Sequence, residues 1–252
     1  MTKYRIPVFS IDKIPAGSNI LIVGRRGVGK SYLCTELLMS QSNVLPVVFA
    51  SKYVVDTYMK KIPEGNVLES FDGEVLEAIL ANQVQTKGET GVIMAFDDVT
   101  HENACLMENM SVRDIVKYGS SLNITSIFSV QHAGVYDDTF RRNVDYVFAF
   151  HDNLTDNKKL LYSRYGDMFN SYEEFDAIFK HCTAEHPYRC LVLDMKSPWH
   201  APVGVSTCTE CHTKTTETHS VLGKPKNIAG TYWYTSTHDN LSDSVVKMEK
   251  RE

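Results

Sequence analysis

The stretch Gly24-Arg25-Arg26-Gly27-Val28-Gly29-Lys30-Ser31 constrains this chain more than any other part of it. It fits the pattern Gly-x-x-x-x-Gly-Lys-Ser without a mismatch, and a short apolar run, Asn19–Val23, precedes it. Behind it, Leu33, Leu37 and Leu38 recur at helical spacing within Ser31–Met39. Strand, glycine-rich turn and helix in that order make a phosphate cradle. The glycines let the backbone curl until its N–H groups converge on phosphate oxygens, and the helix N-terminus adds positive potential. Lys30 is then placed to reach the β- and γ-phosphates, and Ser31 to offer its hydroxyl to Mg2+. With Tyr32 on the first helical turn, the expected cofactors are ATP and Mg2+.

The rest of the chain supplies what such a loop needs around it. Leu45–Ala50, Gly91–Phe96, Thr125–Val130 and Val144–Phe150 read as further buried strands. An amphipathic segment over Val54–Lys61 and helical segments over Glu74–Gln85 and Glu102–Lys117 lie between them. That alternation predicts an α/β P-loop NTPase fold, with a mostly parallel central sheet flanked by helices. Arg5–Ile11 alternates like a strand, Leu154–Arg164 and Tyr172–Cys182 look helical, and Arg189–Asp194 and Thr231–Thr235 read as closing C-terminal strands. The expected organisation is a single ATPase domain over residues 1–239, with a loop insertion at 197–227 and a flexible polar tail at 240–252.

Asp97 and Asp98 end the apolar run Val92–Phe96. A carboxylate there suits magnesium held through water, the role expected of Asp97, while Asp98 would orient or deprotonate an attacking water. The plainer reading is an acidic turn after a buried strand. Gln131 closes the next strand, where an amide can bond the γ-phosphate or the attacking water. His132 reads as a surface residue. Arg141-Arg142-Asn143 precedes the fifth strand and suits a finger for a neighbour's site, a DNA phosphate contact or a solvated turn.

The net charge of −5 and pI near 6.0 exclude a uniformly basic nucleic-acid surface, so any DNA contact must be a local patch. Lys60, Lys61 and Lys87 are candidates. No apolar run reaches the roughly eighteen residues that cross a bilayer, and the first residues lack a signal-peptide core, which predicts a soluble, non-secreted protein. The 6 cysteines are too sparse for a disulfide scaffold. Cys208-Thr209-Glu210-Cys211-His212 has zinc-knuckle spacing, with His219, Cys182 or Cys190 as further ligands. An unliganded polar loop is the competing reading.

Taken in order, an N-terminal strand, GRRGVGKS, VIMAFDD, NITSIFSVQH and FRRNVDYVFAF resemble the genome-packaging ATPases of large double-stranded DNA viruses, the poxvirus-type branch of the FtsK–HerA superfamily. The likeness runs from Tyr4 to Phe150, and YRCLVLD and TYWYT look like that family's closing strands. It implies an additional-strand core, with the Gln131 strand between the P-loop strand and the acidic strand. It also implies a homo-oligomeric ring that translocates double-stranded DNA into a capsid. The partners would be a capsid vertex or an inner-membrane virion protein, and the place the viral assembly sites of the host cytoplasm, or the virion. Lys30, Ser31, Asp97, Asp98, Gln131 and Arg141 match the motif positions. Gly119-Ser120-Ser121 departs, because relatives carry a glycine-arginine pair there that serves as the finger; Arg141 or Arg113 is the nearest substitute. A nucleoside or nucleotide kinase, and a nucleotide-binding structural subunit without turnover, are the alternatives.

Overall fold

A computed structural model describes residues 2–99, 106–184, 188–196, 231–235 and 244–248. The chain runs β1 (Thr2–Ile6), β2 (Asn19–Val23), α1 (Lys30–Ser40), β3 (Val44–Ala50), α2 (Val55–Met59), β4 (Val67–Leu68), α3 (Gly73–Thr86) and β5 (Gly91–Asp97). It continues through α4 (Met110–Tyr118), β6 (Ile124–Val130), α5 (Asp138–Asn143), β7 (Tyr146–Phe150), α6 (Thr155–Tyr165) and α7 (Tyr172–Ala184). β8 (Arg189–Asp194), β9 (Thr231–Thr235) and β10 (Ser244–Met248) follow.

Eight strands form one sheet in the order β4-β3-β5-β6-β2-β7-β8-β9. From β4 to β7 every pairing is parallel; β8 and β9 join antiparallel. The C-terminal ends of the parallel strands define an upper edge of the sheet, and their N-terminal ends a lower edge. β6 lies between β5 and β2, the arrangement the sequence resemblance implied.

Successive strand residues point to opposite faces, so one apolar run feeds two cores. Ile20, Ile22, Val48, Ile93 and Ile127 face Leu33, Leu37 and Tyr58 of α1 and α2. Leu21, Phe49, Phe96 and Phe128 face the layer built from α3 to α7. There Phe49, Phe96 and Phe128 stack at 5.2 and 4.9 Å across adjacent strands, and Phe140 of α5 meets Phe128 edge-on at 4.8 Å. The sheet is therefore buried on both faces, as a parallel sheet has to be.

Several boundaries differ from the sequence reading. β1 ends at Ile6, ahead of Pro7, which has no N–H to pair, and Ile11–Lys13 is a 3-10 turn. α4 starts at Met110, capped by the Asn109 side chain accepting from the Val112 N–H, after a 3-10 turn over Leu106–Glu108, and the Glu102 end of the expected helix lies outside the described residues. α5 and the two-residue β4 were not expected. Ser244–Met248, within the segment read as a flexible tail, pairs antiparallel with β1. The expectations for Cys208, Cys211, His212 and the 197–227 insertion fall outside the described residues. The segment after Lys196 leaves from the lower edge, where the Met195 N–H bonds the Asp145 carbonyl. β9 begins at the same edge, Thr231 pairing with Leu193. Among the described residues no helix is long and apolar enough to cross a membrane.

Candidate functional site

β2 ends at Val23, and the glycine loop turns from it into α1 at the upper edge. Gly29 caps α1 with φ 101°, and Gly27 sits at φ 82°, both in the left-handed region. Gly24 is required for a different reason: a Cβ there would stand 2.8 Å from the Phe150 Cβ and 2.9 Å from Val28 Cγ2. Lys30 Nζ donates to the Arg25 carbonyl at 3.1 Å, folding the side chain back along the loop. Burial holds the Lys30 ammonium below its ordinary range, and the Asp97 and Asp98 carboxylates oppose that shift. A lysine drawn both ways by burial and by carboxylates is one set to gain from an arriving polyphosphate.

Asp97 ends β5 and is 1% exposed. Its Oδ2 accepts from Ser31 Oγ at 2.5 Å and from Tyr58 Oη at 2.7 Å. Asp98 follows with φ 57°, a left-handed turn that swings its carboxylate away from the strand line. Gln131, the residue after β6, donates through Nε2 to Asp98 Oδ1 across 3.5 Å. Because β6 lies between β5 and β2, Gln131 stands between the acidic pair and the loop. A cleft of about 770 Å³ opens over these residues, with Lys30, Ser31, Asp97, Asp98 and Gln131 on its wall. Arg26, Gly27, Gly29 and Tyr32 also line it, while Arg25 and Val28 face a second cavity of about 330 Å³ shared with Gln131 and His132.

The donor set suits a hard dication. Magnesium takes one or two side-chain oxygens and otherwise phosphate and water, and Ser31 Oγ and Asp97 supply oxygen ligands side by side. The hydroxyl of Ser51, whose N–H bonds the Asp97 carbonyl, is buried without a hydrogen-bond partner among the described residues. Among the described residues no group of three or more His, Cys, Asp or Glu is gathered for an all-protein metal cage. Cys182 and Cys190 lie in the apolar cores, and burial pushes the Cys182 thiol up to about 12, which disfavours the thiolate that zinc takes.

Four cleft residues carry no motif, Lys52, Tyr53, Val54 and Tyr188, and Tyr58, buried beneath the cleft, reaches its acidic end through Asp97. Tyr188 precedes β8, and because β8 runs antiparallel its start lies at the upper edge, against Gly29. Tyr58 stood inside a segment read only as amphipathic. Neither contact leaves a trace at short range in the sequence.

Arg141 does not enter the cleft. Its Nε donates to the Arg164 carbonyl at 2.6 Å and its guanidinium faces Asp167 at 3.7 Å. α5 ends at the lower edge, where the Asn143 carbonyl meets Asn19, the first residue of β2. Arg113 is held by Asp137 at 2.8 Å. Gly119–Leu122 forms a 3-10 turn at that edge, packed so closely on Gly17 that a Cβ on it would lie 2.7 Å from Ser120 Cα. Lys60 and Lys61 follow α2 on the nucleotide side, with Lys61 Nζ 5.3 Å from the centre of the Tyr32 ring, whereas Lys87 caps α3 at the lower edge. The three lysines do not share a face.

No protein-family model matches the chain. It is 25% identical over 211 residues to an uncharacterized protein of Acanthamoeba polyphaga mimivirus, covering 78% of this chain and 73% of that protein. It is 26% identical over 185 residues to one of Invertebrate iridescent virus 6, covering 71% and 70%. With one of Frog virus 3 it shares 25% over 205 residues, 77% of this chain but 62% of that protein. Among solved structures, the genome packaging NTPase B204 from Sulfolobus turreted icosahedral virus 2, in complex with ATP-gammaS, is similar with a TM-score of 0.51 and 13% identity, over 71% of this chain and 92% of that one. B204 from Sulfolobus turreted icosahedral virus, described as a DNA-packaging ATPase, gives 0.51 and 15%, over 72% and 94%. The chain thus has a P-loop NTPase fold similar to that of these viral packaging enzymes.

Proposed function

We propose that this protein is an ATP-hydrolysing motor that moves double-stranded viral DNA into a capsid. The observation that carries the reading is the strand order β5-β6-β2, which sets Gln131 between Lys30 and Ser31 on one side and Asp97 and Asp98 on the other. A bare phosphate-binding loop would serve any nucleotide protein; a polar residue between the two motifs gives a group that senses the γ-phosphate. The likeness to solved viral packaging NTPases, and to proteins of large DNA viruses, supports the same reading.

The loop N–H groups and Lys30 would hold the triphosphate and offset charge that builds on it as the bond breaks. Ser31 and Asp97 would hold Mg2+, which when bound shields the phosphate oxygens. Asp98 would orient a water for in-line attack on the γ-phosphorus and accept its proton as the bond to the ADP oxygen breaks. Gln131 would present its amide to the γ-phosphate or that water, its link to Asp98 keeping the two aligned. Arg141 and Arg113 are the candidates to complete a neighbour's site in a homo-oligomeric ring; each is already held by an acidic partner, so release from it would accompany assembly. A capsid vertex or inner-membrane virion protein would dock the ring, at cytoplasmic assembly sites.

The test is ATP hydrolysis with and without duplex DNA, then with nucleosides, beside Lys30→Ala, with the oligomeric state measured in each sample. DNA-stimulated turnover abolished by Lys30→Ala is expected. Phosphorylated nucleoside would replace the motor with a kinase, and an assembled ring that binds ATP without turnover would leave a structural subunit.

A further inference from the structure

Asp97 is buried in a part of the molecule where few groups can reach it, and Oδ2 takes both of its side-chain hydrogen bonds. Oδ1 accepts none from the described residues, and the residue lines the cleft. The two donors differ in what else they do. Ser31 belongs to the phosphate loop, and its hydroxyl would turn to a cation bound there. Tyr58 is 0% exposed on α2, packed with α1 in the core below the loop, where its hydroxyl neighbours the buried Cys34 thiol besides Asp97. Once Ser31 serves the cation, the bond from Tyr58 is the one that still fixes the carboxylate. A charge-assisted hydrogen bond in a dry setting is stronger than a neutral one. Gripping one oxygen also leaves the other without a donor from the described residues, in a residue that lines the cleft. Without that bond the buried carboxylate would lack a fixed donor, and its charge would be left unpaired.

Resting on the Mg-ATP reading above, we infer that Tyr58 is the positioning residue of the cation site, anchoring Asp97 Oδ2 so that Oδ1 faces the metal water shell. This residue touches neither nucleotide nor metal and acts through Asp97 alone.

The test compares wild type, Tyr58→Phe, Asp97→Asn and the double variant as full chains, titrating a fluorescent non-hydrolysable ATP analogue with Mg2+ and again with EDTA. Phe keeps the ring and its packing and removes only the hydroxyl. Tyr58→Phe is expected to leave the affinity in EDTA within about twofold and to cut the Mg2+-dependent gain about tenfold, the size of one charge-assisted bond. In the Asp97→Asn background it should add nothing further. Equal weakening with and without Mg2+, an unchanged Mg2+ gain, or a full additive loss beside Asp97→Asn each overturns the inference. Wild type that binds no nucleotide overturns the functional reading as well, whereas Mg2+-dependent wild-type binding with an indifferent Tyr58→Phe overturns this inference alone. Should Tyr58→Phe not melt cooperatively, Tyr58→Met takes the same comparison.

Discussion

Two glycines of the phosphate loop make different demands. Gly27 and Gly29 both have positive φ, but only Gly29 is also crowded, its Cβ position lying 2.8 Å from Tyr188 Cδ1. Gly27 has nothing within 4 Å. Gly27→Ala should therefore carry backbone strain alone, about 1–3 kcal/mol, while Gly29→Ala adds a displaced tyrosine. Chemical denaturation should rank Gly29→Ala as the less stable, and nucleotide titration should rank it as the weaker binder. An equal loss in both would mean that Tyr188 yields freely. The loop was legible in the sequence because all its chemistry is contiguous: Gly24, Lys30 and Ser31 stand within one turn of chain. Tyr58 and Tyr188 were not, because each meets the site through a contact spanning many residues. Asp97 and Gln131 sit between these cases, each readable as the last polar residue of an apolar run.

Among the elements, β6 and α5 carry the clearest expectations. All residues of β6 are buried, and Phe128 bridges the stacked ring of Phe96 and the edge-on ring of Phe140. Phe128→Ala should cost about 3–5 kcal/mol in denaturant unfolding, since rings on both sides prevent collapse of the cavity. α5 starts on Asp137, whose carboxylate accepts from the Phe140 N–H at 2.9 Å and from Arg113. The Phe140 N–H bond leads in holding that carboxyl below the ordinary range, with Arg113 adding to it. A lowered folded value gives stability that is present above the ordinary carboxylate range and is lost as pH falls through the folded one. Asp137→Ala should cost about 1 kcal/mol near neutrality, and the gap to wild type should close as acid protonates the cap. Thermal melts from pH 7 to 2 would show it, and a pH-independent gap would rule the cap out as its source. Periodicity announced β6 as an element, yet only the family resemblance announced its neighbours, because a run of apolar residues says nothing of pairing. α5 escaped because six residues are too few for a helical period to emerge.

At the scale of the molecule, the lower edge is locked by one side chain. Asn19 Nδ2 donates to the Val116 and Asn143 carbonyls, each at 2.8 Å, and its Oδ1 accepts from Ser126 Oγ at 2.6 Å. β2, α4, β6 and the end of α5 thus meet on one amide. Asn19→Leu strands all three partners and should cost about 3 kcal/mol or more, measured as a lowered denaturation midpoint. The whole architecture was more legible than this knot, since class follows from alternation whereas a buried amide looks like any asparagine. The same edge holds both roots of the segment between Lys196 and Thr231, on strands that are already hydrogen-bonded neighbours. Replacing residues 197–230 with a tight turn of about four residues should therefore close a β-hairpin and leave nucleotide affinity unchanged in titration calorimetry. A loss of affinity there would mean that the segment reaches the opposite edge. Seen this way, the β8–β9 pair is a bracket whose open ends lie at the edge opposite the cleft, so a change made between Lys196 and Thr231 is anchored a full strand length away from Lys30 and Asp97.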